Sequence, residues 1–486
     1  MLPIVPLAIL ALALVLGSAI VRLVPEVLRP AWFRSIKERQ DAGAFARLAS
    51  VYPEYPVFGF LGAALLVILV TYPVLDAVLR TVEYTAPFGF WDFGVFLRAA
   101  EASLHGGRIY TPAESGGYHG SYLYPPVFLL LFRPLLGLSF DMAVFTWMVV
   151  TMLFLWASLQ VLIRGLGLHL RLWERGVLLL AVLGYHPLFF SIKQGQVSAF
   201  MAGCVTFAGA ALVYGLQNRE HGFGDGRTWA SGGRTGRALR LASGAITTIP
   251  AAMKLPYAPI GAHLLQNRER FAGAVAMGIG LVVLSFGLFG VEVHRTYLDV
   301  LMWGKGGSSR HPSLWMPAYY QPLYVLGEPR TLVRGLLAGV VALLALATSR
   351  SEADLETFAL GVAAMPLIAP RADLYYLSAL LPVVVILVAI ELRRGGHPAL
   401  PVLALGFLHF QSSGTRLFAD ILVPIAPYHD LYFTLSPALQ PGLWGNAILI
   451  GVAGYRVTEY LNVGAIVEGL RTRWQERGGE TVENRS

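Results

Sequence analysis

Apolar runs of about 18 residues or more, separated by short polar breaks, recur along the whole chain. A run of that length spans the hydrocarbon core of a bilayer as a helix, because inside lipid every backbone polar group must be satisfied within the protein. Composition agrees. Of 486 residues 56% are hydrophobic and 14% charged, against about 25% charged in a typical soluble domain. So few charges cannot cover a soluble protein of this size, and disorder, coiled coils and disulfide scaffolds are excluded on the same ground. The expected fold class is all-α: a polytopic transmembrane bundle of about 11–14 helices. The single cysteine, Cys204, lies in an apolar run and says nothing of redox compartment.

Spans are expected near residues 3–24, 57–80, 141–163, 175–191, 197–215, 271–290, 331–348, 356–369, 374–391, 398–411 and 441–461. The first run lacks a basic flank and a small-residue cleavage site, and reads as a retained helix. Three stretches are ambiguous: 123–138, bounded by prolines; 241–265, broken by Pro250, Lys254 and Pro256; and 417–427. The net charge of +8 suggests positive-inside loops. Basic clusters at 22–50, 164–175, 216–240, 268–270, 393–394 and the C-terminal tail share the cytoplasmic side if 123–138 dips in and returns and 241–265 is a hairpin. Segments 81–122, 192–196, 254–257, 291–330, 370–374 and 412–440 then face outward. The organisation expected is one transmembrane catalytic domain, 1–470, with long outer loops at 81–122 and 291–330 and a cytoplasmic tail at 471–486. Loops that long in a compact protein are usually functional.

In the first loop Asp92 stands among Phe90, Trp91 and Phe93. A carboxylate among aromatics at a membrane surface is costly unless it is used or paired. Residues 92–104 have helical spacing, with Phe93, Phe96, Leu97 and Ala100 on one face, as in a helix lying in the interface. Asp92 reads either as the N-cap of that helix or as a reacting group. Only four of the 37 basic residues are lysines, so Lys193 and Lys254 at helix–loop boundaries stand out, as phosphate ligands or as side chains snorkelling to the interface.

The first loop and its sequel, DFGVFLRAAEASLHGGRIY followed by YLYPPVFLLLFRPLLGL, resemble the opening signature of the polyprenol-phosphate-mannose-dependent α-mannosyltransferases, integral membrane enzymes of glycosyltransferase class C. The matching positions are Asp92, Phe93, Ala99, Ala100, Gly106, Ile109, Tyr110, Tyr124, Pro125, Pro126, Pro134 and Leu135. Gly195-Gln196-Val197-Ser198 resembles that family's Gly-Gln-Val-Asn, and Lys254 with Pro256 its Lys-x-x-Pro. Two positions depart. The family's late Ser-Trp-x-His-His is replaced after Pro370, with Asp373 for the Trp and Tyr375-Tyr376 for the histidines. Its Asn-Gln-Ser-Leu aligns with His311-Pro312-Ser313-Leu314.

The resemblance implies transfer of a sugar, mannose first, from a polyprenyl-phosphate donor to a glycolipid or glycan acceptor on the outer face of the cytoplasmic membrane, without metal or cofactor. Asp92 would be the general base of an inverting reaction. A lipid phosphate leaves without an acid but needs cations and donors around it. Lys193, Lys254 and Arg371 are candidates, with Gln194 and Gln196 as sugar contacts and Tyr124, Arg310, His311 and Asp373 as further substrate contacts. The expected partners are donor, acceptor and membrane lipids, not nucleic acid. The histidines show no metal-ligand spacing. A lipid or solute transporter is the rival from another class, and arabinose or glucose as donor sugar the rival within it.

Overall fold

The computed structural model describes residues 53–461 apart from 115, 169, 218–233, 307–318, 321–322, 324–325, 327–328, 350, 371, 426–433 and 436–437. The expected spans 57–80, 141–163 and 197–215 appear as α1 (Pro56–Thr81), α3 (Phe140–Gly165) and α6 (Ser198–Gln217). Between α1 and α3 lies α2 (Trp91–Leu104). The span expected at 175–191 is two helices, α4 (Leu172–Gly184) and α5 (His186–Gln194), bent by 66°. The bend follows from the chain. Pro187 occupies the first turn of α5, and proline fits a helix start but not its interior. Pro73 inside α1 has no N–H for the Leu69 carbonyl, and Gly184 packs against that oxygen. A Cβ there would fall 1.6 Å from it, so only glycine allows the approach.

The ambiguous stretch 241–265 is broken at Lys254 but not at Pro250, which lies within the helix: α7 (Arg234–Met253), an extended Lys254, then a 3₁₀ helix over Leu255–Gln266. Pro256 forbids continuation, since its ring would collide with the carbonyl four residues back. The stretch 123–138 does not span. It forms 3₁₀ turns, Pro126–Leu131 and Arg133–Leu135, tucked under α2. Then come α8 (Arg268–Gly306), broken at Gly290 where φ is 73°, α9 (Pro329–Ala347), α10 (Asp354–Ile368), α11 (Leu381–Arg393), α12 (Ala399–His409), α13 (Gln411–Leu422) and α14 (Pro441–Thr458). Strand β1 (Tyr319–Tyr320) pairs antiparallel with β2 (Ala372–Asp373), Tyr319 opposite Asp373.

The molecule is thus a polytopic all-α membrane bundle. Among the described residues six helices are long and apolar enough to cross a membrane, seven if α4 and α5 form one bent span. Other expected spans, at α10, α12 and α14, are helical but shorter or less apolar. The expected span at 3–24 lies outside the described residues. On α9, Leu332, Leu336, Val340 and Leu343 are exposed at helical spacing, a stripe suited to lipid.

The helices alternate between two ends. At one end charges pair. The buried Arg270 bonds Asp354, Arg456 grips Glu391 with two bonds of 2.7 and 2.8 Å, and Arg394 bonds Glu356 and Glu459 at 2.6 Å each. Arg393 also donates to the Leu166 carbonyl at 2.5 Å. Residues from the loops expected to face outward gather at the other end, around a large cavity.

Candidate active site

The cavity has a volume of about 1280 Å³, and Asp92, Tyr124, Lys193, Gln194, Gln196, Lys254 and Asp373 all line it. These residues are far apart in sequence, and three local structures bring them together.

The first is the end of α5. Gly195 adopts φ 70°, the left-handed conformation open to glycine. The Gln196 N–H returns to the Ser191 carbonyl at 2.9 Å and that of Gly195 to Ile192 at 3.0 Å, a Schellman closure. A Cβ on Gly195 would stand 2.6 Å from Cβ of Phe93. The turn therefore lies directly on α2, and the next residue, Gln196, faces the start of that helix. The second is that start itself. Phe90 precedes α2 with φ 48°, rare for a residue with a side chain. The N–H groups of Gly89 and Phe90 both donate to the Lys193 carbonyl, at 3.1 and 2.9 Å. Asp92 is therefore not the N-cap. That position is Phe90, and Asp92 lies in the first helical turn with its carboxylate turned to the cavity. The third is the break at Lys254.

Gln196 Nε2 donates to Asp92 Oδ2 at 2.5 Å. Gln196 Oε1 accepts from the Tyr124 hydroxyl at 3.2 Å and from Lys254 Nζ at 3.5 Å. A carboxylate only accepts and an ammonium only donates, so this neighbourhood fixes which way the amide points. The result is a polar chain from Lys254 through Gln196 to Asp92. Burial raises the Asp92 carboxyl above the ordinary carboxylate value and nearby Asp373 adds to the rise, while the Gln196 bond and the Lys254 charge oppose it.

Lys254, 8% exposed, sits over three tyrosine rings: Tyr375 at 4.7 Å, Tyr376 at 5.0 Å and Tyr124 at 5.1 Å. Tyr375 and Tyr376 are the residues standing where the resembled family has paired histidines. Tyr375 also donates to Asp373 Oδ2 at 2.5 Å, and β1 holds Asp373 from the other side.

Lys193 lines the same cavity, but its ammonium bonds Asp76 Oδ1 at 2.5 Å and the Ala86 carbonyl at 2.8 Å. Gln194 is half-buried on the wall. Arg371, Arg310 and His311 lie outside the described residues. Sequence reasoning missed Asp76, an acid inside the first span. Its signal was available, because an acid within an apolar run calls for a partner. It also missed Arg416 of α13, which donates to the Tyr84 carbonyl at 2.5 Å and lies 4.0 Å from the Tyr84 ring centre, on the cavity wall. Among the described residues no group of histidine, cysteine and acidic side chains is placed to hold a metal ion.

A carboxylate with a raised pKa, a bridging amide, caged cations and many hydroxyls suit proton transfer beside a polar, anionic substrate. The sequence profile of glycosyltransferase family 87 matches residues 122–370, just over half of the chain. The match takes in Tyr124, Lys193, Gln194, Gln196 and Lys254 and begins after Asp92. Neither a curated relative nor a solved structure is matched. The chain belongs to glycosyltransferase family 87 and is a membrane glycosyltransferase.

Proposed function

We propose that this glycosyltransferase transfers one sugar from a polyprenyl-phosphate donor to a hydroxyl acceptor at the extracytoplasmic face of the cytoplasmic membrane, with Asp92 as general base. The observation that carries the reading is the Lys254–Gln196–Asp92 chain at the wall of a large cavity. Asp92 takes the proton of the acceptor hydroxyl as its oxygen bonds C1 of the sugar. The bond from C1 to the phosphate oxygen breaks, the electron pair leaves with the lipid phosphate, and the configuration at C1 inverts. Burial makes Asp92 a stronger base than a free carboxylate, and Gln196 keeps the acting carboxylate oriented. Lys254, with Arg371, is the proposed cation for the phosphate. Gln194, Gln196, Tyr124 and Asp373 are proposed sugar contacts, and Arg310 and His311 acceptor contacts.

The basic pairs at 268–270 and 393–394, at the ion-paired end, support an outward orientation of the cavity. Mannose is the sugar that the sequence resemblance implies. Tyr375 and Tyr376 in place of two histidines keep arabinose and glucose as alternatives. Incubating the purified protein with a panel of radiolabelled polyprenyl-phosphate sugars and total membrane lipid tests the reading. Transfer from a single donor supports it and names the sugar. Transfer only from a nucleotide sugar overturns it.

A further inference from the structure

Lys193 has a second set of contacts that phosphate binding does not explain. Its ammonium is 4% exposed and pairs with Asp76, itself 1% exposed, whose other oxygen accepts from Arg80 Nε at 3.1 Å. The same ammonium bonds the Ala86 carbonyl and lies 5.4 Å from the Phe189 ring centre and 5.7 Å from that of Phe88. Its own carbonyl accepts the N–H groups of Gly89 and Phe90. One residue therefore joins three pieces of chain: α1 through Asp76, the 86–90 segment through three backbone groups, and α5, whose next turn carries Gln196. Asp92 follows Phe90 by two residues and bonds that glutamine. A buried ion pair of this kind is poor evidence for added stability but a well-attested way of fixing one arrangement.

We propose that Lys193 is a positioning residue that, through Asp76 and the backbone of residues 86–90, sets Asp92 in register against Gln196. It acts on the reaction through Asp92 and holds no donor phosphate. The proposal rests on Asp92 as the base, so its test has one arm that needs no activity.

The kinetic arm compares Lys193→Met, Asp76→Asn and the double variant in detergent. Lys193→Met leaves Asp76 buried without its ammonium, and the 86–90 segment shifts. Its kcat is expected to fall by about 10-fold or more, the scale of a misplaced catalytic geometry, with the donor KM within about twofold of wild type. The double variant, which removes the buried unpaired carboxylate and leaves only the part-exposed Arg80 without its partner, is expected to recover most of that loss. A donor KM raised about 10-fold in both Lys193→Met and the double variant marks a phosphate ligand and overturns the proposal. The structural arm places spin labels at Trp91→Cys and Leu255→Cys, both exposed, in a Cys204→Ser background. The inter-label distance distribution is expected to shift or broaden with Lys193→Met and to return in the double variant. An unchanged distribution overturns the proposal even where wild-type turnover is found with no polyprenyl-phosphate donor, an outcome that removes the proposed donor class instead.

Discussion

At the scale of single residues, Asp92 as the proposed base combines two opposed demands. Burial raises its pKa, so the folded protein favours the neutral acid, whereas general-base chemistry needs the carboxylate. The sign for stability follows. A folded-state pKa above the unfolded value means that the folded protein binds the proton more tightly. Stability from this group is therefore full at acid pH and declines as pH rises from the ordinary carboxylate value through the raised one. Asp92→Asn removes that decline and keeps an acceptor oxygen for Gln196. At neutral pH it should melt no lower than wild type, while turnover falls at least about 100-fold, the usual scale of general-base catalysis. Thermal unfolding and sugar transfer measured on one preparation check both halves. Near-wild-type turnover would remove Asp92 from the reaction. In wild type, kcat/KM should rise with pH through an inflection above the ordinary carboxylate range, and Asp92→Asn should lose that inflection.

Among the elements, the close of α5 does more than end a helix. Gly195 takes a left-handed φ and rests against Phe93, which puts Gln196 on Asp92. Gly195→Ala should cost about 1–2 kcal/mol for the left-handed backbone, with a further cost of about 1–3 kcal/mol for overpacking against α2. Melting temperature and turnover should fall together, whereas Gly106→Ala, also at positive φ but with open space around its would-be Cβ, should change only the first slightly. Loss at Gly106 equal to that at Gly195 would show that backbone strain, not the contact with Phe93, sets the effect. Elements of this kind differ in how far the chain announces them. The break at Lys254 is legible because Pro256 acts on its own neighbours. Helix α2 is legible because Phe93, Phe96 and Ala100 repeat at helical spacing. The Asp92–Gln196 bond joins residues 104 apart, and the pair Lys193–Asp76 residues 117 apart. Neither bond leaves a periodicity to read. The substitution of tyrosines for histidines at 375 and 376 was visible as a departure, but their place around Lys254 follows only from the packing of the Lys254 break against the start of the 374–393 segment.

For the whole molecule, the alternation of helices places the cavity at one end and the paired arginines at the other. A cysteine at Gly116, in the 81–122 loop, should react with an impermeant maleimide in intact cells, and one at Gly232 should react only after the membrane is opened. Reaction of both in intact cells would contradict the proposed orientation. The cavity itself is far larger than one sugar. At about 1280 Å³ it holds on the order of tens of water molecules when no substrate is bound. A carboxylate that deprotonates a sugar hydroxyl meets the same O–H bond in each of those waters. With donor in place and the acceptor absent, water is the competing nucleophile, and free sugar is the by-product. The fidelity of such a transferase then lies in how completely its acceptor displaces solvent around Asp92, and the ratio of sugar released to sugar transferred measures that displacement directly.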